Sequence, residues 1–249
     1  MRENLSENRI EGRNAVLECL NSNRGIKKLY VLKGIKDEKI NALINEVKKT
    51  GTIVSFMERD ELDAMAETKS HQGIIADVED YKYVEVSDII DFAKSKSEDP
   101  FIVILDEIED PHNFGAIIRS AECIGVHGII IKNRNQAMVT ATVVSASAGA
   151  TEYMRIARVS NISKTIEELK ESGMWFACAD MSGMEMNEAN LKGSIGLVVG
   201  NEGRGVSRLV KEKCDFVVKI PMRGHIDSLN VSVATGVLLY EIDRQRNIK

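Results

Sequence analysis

The chain has 249 residues, 43% hydrophobic and 29% charged, with 33 Lys/Arg against 38 Asp/Glu for a net charge of −5. This length and composition exclude fibrous and disordered classes and suffice for one large domain or two small ones. The global charge gives no support to a nucleic-acid partner, yet residues 1–36 hold eight Lys/Arg against four Asp/Glu, while residues 58–99 hold five against thirteen, so the basic end is a candidate RNA-facing surface or simply a solvated charged face.

The N-terminal part reads as a small α/β unit. Ile10–Leu20 carries apolar residues at helical spacing, Lys28–Leu32 is a short β-type run, and Ile40–Lys49 is an amphipathic helix stopped at Gly51. Thr52–Phe56 predicts a second strand, Glu58–Ala66 a short helix and Gly73–Val78 a third strand. Residues 80–99 are charged, end at Pro100 and read as a linker between domains spanning 1–79 and 100–249. The second part opens on Phe101–Leu105, apolar on both faces as in a buried parallel strand. Helix Gly115–Ile124, strand Gly128–Ile131, a Ser/Ala/Gly-rich stretch at 141–150 and helix Ser163–Glu171 follow. Strands Trp175–Ala179, Ile195–Val199 and Phe216–Ile220 precede a last helix from about Leu229 to Arg244. Alternating elements predict a mostly parallel, doubly covered sheet, which binds ligands at the carboxyl ends of its strands.

The longest apolar runs reach about five residues against the ~20 that span a bilayer, and the polar first residues lack an apolar signal core; both predict a cytosolic protein. Cys19, Cys123, Cys178 and Cys214 are scattered, with no CxxC pair and no histidine at ligand spacing. Reduced, mostly buried thiols are expected, with neither disulfides nor a metal.

Three polar, Gly-bearing turns follow hydrophobic strands. In the first, Asp106 to Arg119, Asn113 is placed to cap the next helix, and Arg119 shares a face with Gly115, as a ligand-holding group or as a structural partner of Glu122. His112, a lone histidine in a loop, is not expected to serve as a catalytic base. The second, Gly200-Asn-Glu-Gly-Arg-Gly205, is neither a GxGxxG fingerprint nor a P-loop, but its glycines let backbone approach a ligand, and Glu202 could orient one. In the third, Pro221 ends a strand, and Ser228 or Asn230 can cap the last helix. The first turn has no glycine triad, which disfavours a Rossmann oxidoreductase.

In this order and spacing the three segments resemble the signature motifs of the SpoU/TrmH branch of the SPOUT methyltransferases, RNA ribose 2'-O-methyltransferases. Asn113-Phe-Gly-Ala-Ile-Ile-Arg119-Ser-Ala is similar to motif 1, Gly200–Gly205 to motif 2, and Ile220-Pro-Met through Ser228-Leu-Asn-Val-Ser-Val-Ala234 to motif 3; Ser145-Ala-Ser-Ala-Gly-Ala150 is also typical. Glu11-Gly-Arg-Asn-Ala-Val and His71-Gln-Gly-Ile-Ile-Ala76 resemble the L30e-like RNA-binding domain of bacterial members that act on large-subunit ribosomal RNA.

The resemblance implies a trefoil-knotted SPOUT domain, an exception to unknotted topology, after a small L30e-like domain. It further implies a homodimer, S-adenosylmethionine contacted by Gly200, Ile220 and Leu229, and a catalytic set of Asn113, Arg119, Glu202, Ser228 and Asn230. The expected product is a 2'-O-methylated guanosine in large-subunit ribosomal RNA; the alternatives are a tRNA ribose methyltransferase and a non-catalytic RNA-binding ribosome-assembly factor. Because guanidinium groups keep their proton in proteins, Arg119 is expected to hold ribose and phosphate and stabilise the developing alkoxide, with RNA phosphate or water taking the proton. Arg9, Arg13, Asn14, Arg24, Lys27 and Lys28 are the expected RNA contacts. With aromatics at 5%, recognition should rest on RNA shape and not on an extended stacking platform.

Overall fold

In the computed structural model, which describes residues 8–22, 24–68 and 70–247, the stretch expected as a helix from Ile10 begins as a strand. β1 (Arg9–Glu11) ends at Gly12, whose φ of +91° turns the chain into α1 (Arg13–Asn21). β2 (Ile26–Leu32), α2 (Glu38–Lys49), β3 (Ile53–Met57), α3 (Arg59–Met65) and β4 (Ile74–Val78) follow. The sheet order is β1-β4-β2-β3, with only β2 and β3 parallel. Asp37 caps α2 by accepting from the Lys39 and Ile40 N–H groups, and Ile40, Leu43, Ile44 and Val47 pack against Leu29, Val31, Ile74 and Ala76. Three residues were too short a run for periodicity to separate β1 from the helix behind it; its strand identity comes from pairing, with Ile10 opposite Ala76.

The segment expected as a linker contains a helix, α4 (Val86–Ser95). Its Ile89 and Ala93 are fully buried, with Ile89 filling the space left by Gly128. The abundant charge of this segment lies on the opposite face of an amphipathic helix, and the division between the two units falls at Lys82/Tyr83. Then come β5 (Phe101–Asp106), α5 (Pro111–Ile124), β6 (Gly128–Lys132), α6 (Ala141–Ala146), β7 (Ile156–Val159), α7 (Ile162–Glu171), β8 (Trp175–Glu185), β9 (Ile195–Gly200), α8 (Arg208–Lys213), β10 (Phe216–Lys219) and α9 (Val231–Asn247). Six parallel strands in the order β10-β8-β9-β5-β6-β7 form the second sheet. The central β5 and β9 are buried along their whole length, as their apolar runs Phe101–Leu105 and Ile195–Val199 require, with Asp106 the one buried charge in them.

Residues 138–153, including α6, pack into the first unit although they lie within the second in sequence. Val144 joins the core of the first unit, and Glu152 pairs with Arg24 at 2.8 Å, their side chains 3% and 12% exposed. A second Arg24 nitrogen donates to the Glu79 carbonyl. Breaking a buried pair strands the remaining charge, so Arg24→Met should lower the unfolding free energy by about 3–5 kcal/mol in denaturant melts; a loss below about 1 kcal/mol would mark the pair as solvated.

Candidate active site

The turns after β5, β9 and β10 meet. α5 starts at Pro111, earlier than expected, and Asp110, not Asn113, caps it: its Oδ1 accepts from the N–H groups of His112 at 2.6 Å and Asn113 at 3.0 Å. The side chain of Asn113 is thereby released and donates to Glu202 Oε1. Asn230 closes the cluster, its Nδ2 donating to Asn113 Oδ1 at 3.0 Å and to Glu202 Oε1 at 3.1 Å. Its Oδ1 accepts from the Ser232 and Val233 N–H groups and so also caps α9.

Buried charge anchors the motif 2 loop. Asp106, 1% exposed at the end of β5, accepts from Ser207 N–H at 2.8 Å and pairs with Lys132 at 2.9 Å. Burial alone would raise its pKa, but the Ser207 and Lys132 contacts outweigh burial and hold it below the usual carboxylate range. Asn201 accepts from the Gly203 and Arg204 N–H groups and donates to the Glu107 carbonyl, while Arg204 pairs with Glu107 and Glu109. A lone acidic residue at a strand end carries no distinctive pattern, so this anchoring was not legible beforehand.

A cavity of about 250 Å³ lies beside the cluster. Gly200, Ile220 and Leu229, the expected cofactor contacts, all line it, as do Glu202 and Ser228. Val199, Val218, Ala234 and Leu238 give it an apolar wall fit for a flat heterocycle. A Cβ on Gly200 would collide with the backbone of Gly205 and Val206, so glycine is required where the loop closes on the strand. Arg119 leaves α5 toward solvent, with no hydrogen bond or ion pair to any described residue; the possible Glu122 pair is not formed, and the guanidinium does not join the Asn113 cluster. Cys19 and Cys178 are buried and Cys214 partly so, but Cys123 is exposed on α5.

β8 adds residues that were not anticipated. It tracks β10 to Cys178, opposite Val217, and resumes at Met184, opposite Val218. The intervening residues bulge away from β10, which carries Ala179, Asp180 and Met181 into the cavity wall. Gly183 ends the bulge against the Val217 carbonyl, where a side chain would clash.

In the first unit, Arg13 N–H donates to Gln72 Oε1 at 3.2 Å, bringing the Glu11–Val16 and His71–Ala76 motifs together. Arg13 pairs with Asp37 yet stays 35% exposed, and Asn14 is exposed. Arg9 is instead taken up by Asp77 and the Met65 carbonyl, and Arg24 by Glu152 and Glu79. Lys27 stands 3.9 Å from Asp80, and Lys28 lies over the Tyr30 ring. Among the described residues no helix is long and apolar enough to cross a membrane, and no group of three or more His, Cys, Asp or Glu could hold a metal ion.

Residues 100–240 match the SpoU rRNA methylase family, and residues 9–84 match the RNA 2'-O ribose methyltransferase substrate-binding family. YacO of Bacillus subtilis, named for the TrmH family of tRNA/rRNA methyltransferases, is 45% identical over 240 residues, 96% of each chain. The SpoU methyltransferase AviRb from Streptomyces viridochromogenes, solved with AdoMet, superposes with a TM-score of 0.79 over 95% of this chain and 89% of its own, at 24% identity. The TrmH/SpoU tRNA-modifying enzyme of A. aeolicus is 32% identical, with a TM-score of 0.54 over 59% of this chain and 76% of its own. With its three motif turns joined at one cavity and matches over both parts of its length, the chain belongs to the SpoU/TrmH family of RNA methyltransferases.

Proposed function

We propose that this chain methylates the ribose 2'-hydroxyl of a guanosine in large-subunit ribosomal RNA. The observation that carries the reading is the hydrogen-bonded meeting of Asn113, Glu202 and Asn230 beside a cavity lined by Gly200, Ile220 and Leu229. A non-catalytic RNA-binding factor would have no use for so complete a polar constellation.

S-adenosylmethionine, the methyl donor of the family, supplies an electrophilic methyl group on a sulfonium. The apolar wall and Gly200 would hold its adenine end, with Ile220 and Leu229 beside it. The target hydroxyl is a weak nucleophile, so the work of the protein is to place it and to stabilise charge as its proton leaves. Arg119, with its donors uncommitted within the described chain, takes the ribose and neighbouring phosphate. Asn113 and Asn230 hold Glu202 in one orientation, and Ser228 adds a hydroxyl at the cavity edge.

The exposed Val233 and Tyr240 on α9 support a homodimer in which a second copy covers this face. The return of Ile220–Leu229 to the cavity lined by the Gly200–Gly205 loop is the arrangement expected of the trefoil knot that the family resemblance implies. On the first unit, Arg13, tied to Gln72 through its backbone, and the exposed Asn14 beside it support an RNA contact, whereas Arg9 and Arg24 serve the fold. The protein would act in the cytosol.

Incubation with labelled S-adenosylmethionine and separated ribosomal and transfer RNA, followed by nuclease digestion, tests the reading. Label in a 2'-O-methylguanosine of large-subunit RNA is the expected result. Label in tRNA, the substrate class of the A. aeolicus neighbour, would keep the chemistry and replace the substrate; no label in either would overturn the activity on naked RNA.

A further inference from the structure

Two carboxylates face the cavity, and their surroundings differ. Glu202 is partnered by the side-chain amides of Asn113 and Asn230, with no cation paired to it among the described residues. Asp180 is clamped. Its Oδ1 accepts from the N–H of Ser182 at 2.9 Å and from its hydroxyl at 2.6 Å, its Oδ2 pairs with Lys211 at 2.9 Å, and Lys211 donates to the Ser182 hydroxyl at 3.0 Å. Lys211 and Ser182 hold the Asp180 carboxyl well down, to about 2, against the opposing effect of burial.

The bulge in β8 is the reason Asp180 reaches the cavity at all. A regular strand would keep it in the ladder with β10; instead the register breaks between Cys178 and Met184, and Gly183 makes the return possible. Bulges of this kind re-aim side chains beside functional sites. The one here delivers a rigid, fully ionised acceptor whose formal charge is balanced by Lys211.

We propose that Asp180 is a cofactor-binding residue, accepting hydrogen bonds from the ribose hydroxyls of S-adenosylmethionine while Lys211 and Ser182 fix its carboxylate. The inference rests on the cofactor reading above and adds to it a residue outside the three motif turns. Neutral hydroxyl donors suit an acceptor that already has its cation, whereas Glu202, held by amides alone, is the better neighbour for the cationic sulfonium. An acidic side chain near the carboxyl end of a parallel strand is also where nucleotide-binding sheets receive a ribose diol.

Titration calorimetry with S-adenosylmethionine, with 5'-methylthioadenosine, which keeps the nucleoside and lacks the amino-acid tail, and with the 2',3'-dideoxy form of the latter tests this. Asp180→Asn should bind the first two about 10- to 100-fold more weakly, the range for a hydrogen bond to a charged group, and should not weaken the dideoxy compound further. Lys211→Met, which keeps the carboxylate but removes its clamp, should cost less, and unchanged thermal unfolding of both variants would show that the fold is intact. Unaltered affinity in Asp180→Asn overturns the assignment, and so does a loss confined to S-adenosylmethionine, which would place the carboxylate on the amino-acid tail. A wild-type chain that binds none of the three nucleosides would overturn the cofactor reading beneath it.

Discussion

Arg119→Ala should lower the rate of methyl transfer by at least about 100-fold, the order lost when one preorganised donor to a developing oxyanion is removed, while S-adenosylmethionine binds as in the wild type. The separation follows from placement. Arg119 is exposed on α5 and is absent from the cavity wall, so truncating it leaves the residues proposed to hold the cofactor untouched. Its guanidinium donates to no described residue, so no internal network collapses with it. Single-turnover transfer from labelled cofactor, paired with a binding titration, reads both quantities. Turnover near wild type would remove Arg119 from the chemistry; a parallel loss of cofactor affinity would place it in the binding site.

Gly200→Ala is the second large expected effect, and it falls on binding. The new methyl group would meet the backbone of Gly205 and Val206, which cannot rotate away as a side chain could. Overpacking of this kind costs about 1–3 kcal/mol, here concentrated on the loop that forms one wall of the cavity, so cofactor affinity should fall about 5- to 150-fold. Gly203→Ala is the control. Its added carbon would come no closer than 3.7 Å to Asn201 Oδ1, and the variant should bind nearly as the wild type. Equal behaviour of the two variants in a cofactor titration would show that Gly200 needs no close approach.

The buried strands were readable because burial on both faces leaves an unbroken apolar run, as in Phe101–Leu105 and Ile195–Val199. α4 was hidden because periodicity gives way to charge when only one face is buried: Ile89 and Ala93 stood among acidic and basic neighbours. At the site, the motif residues were legible by type and spacing, but their division of labour was not. Asn113 looked like a helix cap; Asp110 takes that task, and the freed amide reaches Glu202 across 89 positions of sequence. Asp180 gave no signal, since its importance comes from a register break between β8 and β10 that no local pattern encodes. The basic N-terminal stretch shows the converse, for charge counts there could not separate Arg9 and Arg24, spent on Asp77 and Glu152, from the more exposed Arg13.

The packing of residues 138–153 into the first unit sets an order on synthesis. Domains usually fold as they leave the ribosome, N-terminal first. Here the earlier unit still lacks Val144 from its core and Glu152 as the counter-charge of Arg24 when Lys82 emerges. It must wait, incomplete, while β5, α5 and β6 of the later unit are made. Neither half can therefore be cut out by a single scission and keep its interior whole, and a fragment ending near residue 82 would carry an open apolar seam into solution.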